Sequence, residues 1–411
     1  MFYSRKQCRL CDSPRVVKVL DLPACPPVDN YRYANEPDRA LPAFPMNLYS
    51  CTNCGHAQLL DVVDPSILFG NYIYTSTSSP DLDAHFSLYC SQIVDRFSSG
   101  GHELVIDVGS NDGLLLSKFQ KKGWRVQGVD PALKAAAMAN QAGIPTLVSF
   151  LNDGAVTALL DACGRADIVT ANNVFSHSDD LRGFAECVRR LLKPEGVFVF
   201  EVSYLLDLVQ QNVFDYIYHE HLAHHSVEPL RRFFASLGMR LFDVQRVKTK
   251  GGSIRGFACL YDAKWNSDAV IDELVVAEHA AGLYKVSTYV KLQNFISELG
   301  IRTRSVLASA AGSGPVAAYG ASATSTVIAH CLGIADRLSF VIDDNPERQG
   351  RLSPGSGCPV LPRVCLSTKS PAITFVGSWR FADMIISKNA DYLRGGGSFL
   401  VPLPEFRVVR Q

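Results

Sequence analysis

The sequence has no excess of either charge. Lysine plus arginine is 40 and aspartate plus glutamate is 40, a formal net charge of zero. A chain that binds nucleic acid or an acidic membrane through its overall field carries a basic surplus, so neither partner is expected. Charged residues are 19% of the chain against 47% hydrophobic, which is too apolar for a disordered polypeptide. Long hydrophobic runs are missing as well. The longest, near Val197–Val209, is interrupted by Glu201 and Asp207 and is too short and too charged to span a bilayer. The start, Met1–Asp12, has no apolar stretch behind its basic residues, so no secretory leader is expected. Cysteine is far too scarce for a disulfide scaffold. Of 12 in the 411 residues, four are clustered and the others are scattered singly in apolar settings such as Cys187 and Cys331. That usage fits a reducing, cytoplasmic compartment. The length implies roughly two to four domains of about 100–200 residues each.

What is present begins with Cys8-Arg-Leu-Cys11 and Cys51-Thr-Asn-Cys54, two C-x2-C pairs. Each pair can place two thiolates on one side of a tight turn. Two such turns close a tetrahedron around Zn2+. Gly55 follows the second pair, where a knuckle turn needs tolerance of positive φ. The intervening residues are too many for a compact ribbon, so a small β insertion is expected between the pairs. Four sulfurs leave no open coordination position, so the metal is read as structural. Iron on the same ligands, or disulfides, are the alternatives.

Leu104-Val-Ile-Asp-Val108 reads as a buried strand that runs into the Gly-rich turn Gly109-Ser-Asn-Asp-Gly113, followed by a helix from Leu114. Trp124–Asp130 is a second strand, ending in an acid. This is the opening of a doubly wound α/β domain. Gly109 and Gly113 let the backbone approach a ligand, and Asp130 is placed to accept hydrogen bonds from ribose hydroxyls. A dinucleotide fingerprint needs G-x-G-x-x-G to admit a pyrophosphate. Here the middle glycine is absent, and Asp112 stands where the pyrophosphate would lie. An acid repels phosphate and suits a cation, so S-adenosylmethionine, with its ammonium and sulfonium, is favoured over NAD. The expected cofactor set is Asp107, Gly109, Asn111, Asp112, Gly113 and Asp130. Asn172 and Asn173 join it from the end of a fourth strand, Ala166–Val174. Asp179–Leu192 reads as an amphipathic helix, Lys193–Gly196 as a turn and Val197–Glu201 as a fifth strand, the layout of class I methyltransferases.

Phe214–His225 gathers His219, His221, His224 and His225 with Glu220 and Tyr218. A metalloprotease H-E-x-x-H begun at His219 would need histidine where Ala223 stands. A second metal site and a merely solvated helix start remain alternatives. The reading adopted is proton transfer, with histidine titrating near neutrality and tyrosine able to donate to an oxyanion. His177, after the fourth strand, and Tyr72, in Asn71-Tyr-Ile-Tyr74, are candidates to join this cluster. Farther on, Ile271–Leu299 reads as helix. Val316–Ala323 and Ser339–Asp344 then form a second Rossmann-like pattern, whose Gly320–Ser325 turn either supports the fold or receives a phosphate-bearing substrate. Phe375–Ile386 and Gly395–Leu403 are expected to complete that sheet.

Taken together, several motifs are similar to those of the S-adenosylmethionine-dependent sugar C-methyltransferases, the C-3′ group of deoxysugar biosynthesis. They are the paired C-x2-C, Asn71-Tyr-Ile-Tyr, Val108-Gly-Ser-Asn-Asp-Gly, Ala171-Asn-Asn-Val-Phe-Ser-His177, Tyr218-His-Glu-His221, Gly251-Gly-Ser-Ile-Arg255, Tyr319-Gly-Ala and Asp344-Asn-Pro-Glu-Arg-Gln-Gly350. The resemblance covers nearly the whole chain. It implies three parts: a zinc-binding N-terminal domain over 1–70, a central class I methyltransferase domain over 71–285 and a C-terminal Rossmann-like α/β domain over 286–411. It implies a nucleotide-linked 4-keto-6-deoxy sugar, on thymidine or guanosine diphosphate, held between the parts, and a monomer or homodimer. It also implies His221 as base, with Tyr218 and Glu220 beside it and His177 and Tyr72 lining the site. One position departs from the resemblance: Lys250 stands where histidine is usual. An NAD-dependent sugar oxidoreductase and an O- or N-methyltransferase are the rival readings.

Overall fold

The computed structural model describes residues 1–35, 42–69, 75–78 and 80–411. Its centre is a seven-stranded sheet. In chain order the strands are β1 (Leu104–Val108), β2 (Arg125–Asp130), β3 (Thr146–Val148), β4 (Ala166–Asn172), β5 (Leu192–Ser203), β6 (Met239–Val247) and β7 (Ser253–Leu260). Across the sheet they lie β3-β2-β1-β4-β5-β7-β6. The first five are parallel, and β7 runs antiparallel to both its neighbours. Every residue of β1 is buried, as expected for a central parallel strand covered on both faces. The order reverses between β1 and β4, and ligands of such sheets bind at the carboxyl ends of the strands where that happens.

The amphipathic helix is Leu181–Leu191. Asp180 caps it by accepting from the Gly183 amide at 2.9 Å, and Leu181, Phe184, Ala185, Val188 and Leu191 form its buried face. Lys193–Gly196 differs from expectation: it is part of β5. The register slips there, with Ala166 opposite Leu192 and Ile168 already opposite Val197, so the predicted turn is a bulge inside the strand. The predicted helix over 271–299 is two helices, Val270–Ala280 and Val286–Ala311. Gly282, at φ 66°, takes the left-handed conformation that ends the first one.

The C-terminal part has six strands: β8 (Val316–Tyr319), β9 (Phe340–Ile342), β10 (Val360–Leu361), β11 (Ile373–Val376), β12 (Phe399–Val401) and β13 (Arg407–Val409). Their order is β10-β9-β8-β11-β12-β13, parallel except for the last. Of Phe375–Ile386, expected within the sheet, only Phe375 and Val376 belong to a strand, and its end lies in the helix Ala382–Lys388.

The three parts are interlocked. The N-terminal segment builds an antiparallel sheet from Val16–Leu20 and Leu48–Cys51, which supply the β structure expected between the cysteine pairs, and Ala57–Leu59 beyond them. Its edge is completed by Ala223–His224 from the histidine-rich segment, with His224 opposite Ala57. Arg32–Tyr33 pairs with Arg351–Leu352 of the C-terminal part. The helix Val286–Ala311 packs against Val16–Leu20, Leu205–Gln210 and β8, and so touches all three.

Candidate active site

The four cysteines converge. The sulfurs of Cys8, Cys11, Cys51 and Cys54 all lie within 4.8 Å of one another. Cys8 and Cys54 are 3.6 Å apart, as are Cys11 and Cys51. A disulfide needs about 2.05 Å, whereas the edge of a zinc–thiolate tetrahedron is about 3.8 Å for bonds of about 2.3 Å. The donor set therefore fits structural Zn2+. The amides of Cys8 and Gly55 are both spent in the local turns, on the carbonyls of Ser13 and Cys51.

The cofactor crevice opens at the carboxyl ends of β1, β2 and β4. Gly109, at φ 70°, has no room for a side chain: a Cβ there would lie 2.3 Å from Val174. Asp130 accepts from the Asn111 amide and the Ala132 amide, both at 2.8 Å, so one carboxylate shapes the turn after β1 and the turn after β2. Asp107 lies beneath, accepting from the Thr170 hydroxyl at 2.6 Å, and burial pushes its carboxyl up to about 7 against that hydrogen bond. Asp112 and Gly113 complete the turn, with Gly113 at φ 80° immediately before the helix Leu114–Lys121. Asn173, at φ 57°, donates its amide to the Glu201 carbonyl at 2.8 Å. Among the described residues, both side-chain amide atoms of Asn172 are buried with no hydrogen-bond partner, as is the Ser110 hydroxyl. Unspent polar atoms at the switch point fit a polar ligand such as S-adenosylmethionine. Asp107, Gly109, Asn111, Asp112, Gly113, Asp130, Asn172 and Asn173 thus lie around one crevice.

A buried ion-pair group lies beside it, with Glu201 opposite Asn172 across β5 and β4. Glu201 accepts from Arg255 at 2.6 and 2.8 Å and meets His85 at 2.9 Å. The Arg255 guanidinium lies 4.0 Å from the Tyr89 ring centre and donates to Gln92 at 2.7 Å. Arg255, in a motif already singled out, is thereby spent on holding β7 to β5 and the helix Pro80–Phe97.

After the short 3-10 turn Phe214–Tyr216 the histidine-rich segment is neither helical nor solvated: His219, Glu220, His224 and His225 are buried. They do not act as one group. His219 bonds the Phe44 carbonyl at 3.1 Å. His225 stacks on Phe175 at 5.1 Å and faces His56 at 5.6 Å. His221 is the member that meets the other site candidates. Its ring lies 4.1 Å from Tyr218 and 5.2 Å from His177, centre to centre. Its Nδ1 lies 2.7 Å from the Tyr216 carbonyl, which can only accept. Nδ1 therefore carries the proton, and the lone pair is on Nε2. Burial lowers the imidazole to about 4, so it is neutral at physiological pH. Burial raises the Glu220 carboxyl well above its usual range, helped by Asp29 and opposed by Lys250. Burial also lowers His177 well below its usual value, with His221 and Lys250 adding to the effect. Tyr72 lies outside the described residues.

Lys250 acts electrostatically on the same residues. It occupies the left-handed region at φ 55° in the turn before β7. Its charge acts on His177, His221 and Glu220, and burial lowers its ammonium to about 8 against the pull of Glu201 and Glu220. Among the described residues the ammonium has no hydrogen bond or ion pair. Asp215, Trp379 and Arg380, described below, escaped the sequence reading. Asp215 sits in a motif already noted, but nothing local marks the other two.

The comparisons agree with this architecture. Residues 8–69 match the model of a zinc binding domain, 82–244 that of a methyltransferase domain and 248–404 that of the C-methyltransferase C-terminal domain. The C-methyltransferase NovU of Streptomyces niveus is 29% identical over 98% of this chain and 96% of its own. A ubiquinone biosynthesis O-methyltransferase of Methylobacterium nodulans is 33% identical over 23% of this chain and 38% of its own. Among solved structures, the magnesium protoporphyrin IX methyltransferase of Synechocystis PCC 6803 with bound SAM aligns over 43% of this chain and 77% of that one, at 15% identity and a TM-score of 0.33. The oxidoreductase alternative falls with the methyltransferase match. A zinc binding domain, a methyltransferase domain and a C-methyltransferase C-terminal domain are thus matched in order along the sequence, and over nearly its whole length the chain is similar to a C-methyltransferase.

Proposed function

We propose that the protein methylates C3 of a 4-keto-6-deoxy sugar carried on thymidine or guanosine diphosphate. A carbon acceptor must be made nucleophilic, and a neighbouring ketone permits this because it can hold the charge left when the adjacent proton departs. The site then has to supply a base over C3 and donors at the C4 oxygen. The observation that carries the reading is the fixed tautomer of His221: a neutral imidazole with its lone pair on Nε2, beside a phenol and within the field of the Lys250 ammonium.

In this reading His221 Nε2 takes the C3 proton. Tyr218 and Lys250 lie on the side where the C4 oxygen gathers charge, and His177 stacks against the base and limits its rotation. One preorganised donor of this kind contributes about 3–4 kcal/mol to barrier lowering. Asp130, Asn172 and the turn Gly109–Gly113 hold the cofactor. When bound, S-adenosylmethionine supplies the electrophile, a methyl group on a sulfonium. The nucleotide leans on the turn Gly320–Ser325, where Ser322 accepts from the Ser325 amide and caps the helix Ala323–Cys331.

The test is incubation with labelled S-adenosylmethionine and a panel of 4-keto nucleotide sugars, with the products examined by mass spectrometry and NMR. The 4-hydroxy analogues are expected to be inert, and methylation of them would point to an oxygen acceptor. His221→Asn is expected to bind S-adenosylhomocysteine normally while losing both turnover and deuterium exchange at C3. Unchanged turnover would remove His221 from the role.

A further inference from the structure

Asp215 is fully buried and lies six positions before the base. It accepts from Trp379 Nε1 at 2.9 Å and from both terminal nitrogens of Arg380 at 3.0 and 3.2 Å. Those donors belong to the C-terminal part, on the turn after β11. A buried carboxylate with three donors, one pair of them from a guanidinium fork, is a strong and directional contact. It pins the short 3-10 turn Phe214–Tyr216, and the last residue of that turn offers the carbonyl that receives the His221 proton.

Two further contacts lead to the same place. The Arg380 guanidinium lies 4.7 Å from the Tyr216 ring centre, the Tyr216 ring lies 5.7 Å from His221 at an interplanar angle of 15°, and His221 stacks on His177. Planar groups therefore connect Arg380 to the base without a gap. Arg380 also rests on Gly251, next to Lys250. A Cβ at Gly251 would lie 3.4 Å from the guanidinium, and its φ of 85° already disfavours a side chain. One cation thus braces both the turn that orients His221 and the turn that presents Lys250. The helix Ala323–Cys331, which begins at Ser322 of the Gly320–Ser325 turn, packs against Phe214–Tyr216 as well.

We infer that Trp379 and Arg380 are positioning residues: by clamping Asp215 they fix the Tyr216 carbonyl, and through it the tautomer and ring orientation of His221. The C-terminal part thereby acts on the chemistry through the base as well as through substrate binding. The inference rests on the reading of His221 as base. Misplacement of a reacting group by about 1 Å can cost about 100-fold in rate, so a clamp this close to the base has a measurable consequence.

The test uses the full chain with 15N-labelled histidine, and the His221 signals are identified by their loss in His221→Asn. The wild-type protein is expected to show a protonated Nδ1 and a bare Nε2 at residue 221. Asp215→Asn and Arg380→Gln are expected to shift those signals toward mixed tautomers and to lower kcat by about 100-fold, with S-adenosylhomocysteine affinity unchanged. Arg380→Lys, which keeps the charge but not the fork, is expected to fall between. Trp379→Phe removes one donor, keeps the ring, and provides the readout if the first two variants do not fold. Wild-type tautomer signals in Asp215→Asn, or in Trp379→Phe should that variant stand in, would overturn the inference. The tautomer measurement needs no substrate, so it is separable from the base assignment. Full turnover in His221→Asn would remove the base while a shifted tautomer in Asp215→Asn left the clamp standing.

Discussion

Thr77 donates twice to one oxygen of Asp112, through its amide at 2.9 Å and its hydroxyl at 2.7 Å. The neighbouring Ser76 amide donates to Asn111 Oδ1 at 2.9 Å. The segment entering the helix Pro80–Phe97 is thus clipped onto the cofactor turn, and the acid that the sequence offers to a cation is at the same time the clip. Asp112→Ala removes two donors' partner at once. Leaving such groups unsatisfied costs about 1–3 kcal/mol. S-Adenosylhomocysteine affinity, measured by calorimetry, is expected to weaken by about 5- to 150-fold. Thr77→Val removes one bond and keeps the amide contact, so it should cost less. Wild-type affinity in Asp112→Ala would show that the turn holds its shape without the clip.

Acid should destabilise the fold from a specific set of groups. Burial lowers His224 and His225 to about 3 and His221 to about 4. Each stays neutral in the folded chain while the unfolded chain binds a proton below about 6.5. Between those limits the unfolded state holds more protons, so stability falls as pH falls. The contribution is complete above about pH 6.5 and is lost progressively toward pH 4 and 3, with a slope of up to about 1.4 kcal/mol per pH unit for each histidine. Denaturant titrations at pH 7 and pH 5 are the measurement. Replacing His225 with glutamine, which cannot titrate, is expected to flatten the dependence.

How much of this was legible depends on sequence distance. The cysteine tetrad and the strand–turn–helix at Leu104–Lys121 are local patterns, and they stand where the spacing places them. The helix Leu181–Leu191 reads from its apolar period and its aspartate cap. Partnerships between distant segments left no such trace. Ala223–His224 joins the zinc-binding sheet, and Asp215 meets Trp379 and Arg380 some 164 and 165 positions away. Neither is written in the periodicity of either segment. Glu278 is similar: within an expected helix it is a buried carboxylate that accepts from the amides of Val227 and Glu228 and from the hydroxyl of Tyr204.

Removing zinc should stop turnover, although the metal is not at the reacting carbon. Zinc binding supplies about 10–16 kcal/mol in small zinc-dependent segments, comparable to the whole stability of a domain at about 5–15 kcal/mol. The sheet Val16–Leu59 is therefore expected to lose order on chelation or in Cys51→Ser. Its edge partner is Ala223–His224, two residues after the base, so the disorder reaches His221. Metal analysis should give one zinc per chain. Chelated protein should lose turnover more than S-adenosylhomocysteine affinity, since the cofactor turn lies on the central sheet. Full turnover after complete zinc removal would uncouple the two.

The last prediction concerns Lys250. Its charge acts on His177 and His221, and burial brings the ammonium down to about 8 against the pull of Glu201 and Glu220. An ammonium that stabilises an oxyanion works only while protonated, so the rate should fall as pH rises through about 8. Lys250→Met removes the donor and is expected to lower kcat by about 100- to 1,000-fold, the range for one oxyanion donor, and to abolish that basic limb. Lys250→Arg keeps a charge that does not titrate in this range. It should move the limb upward even if the rate is reduced by the larger head group. The measurement is kcat against pH for the three proteins with saturating substrates. A basic limb that persists unchanged in Lys250→Met would assign it to another group, and Tyr218 would then be the donor left to carry the C4 oxygen.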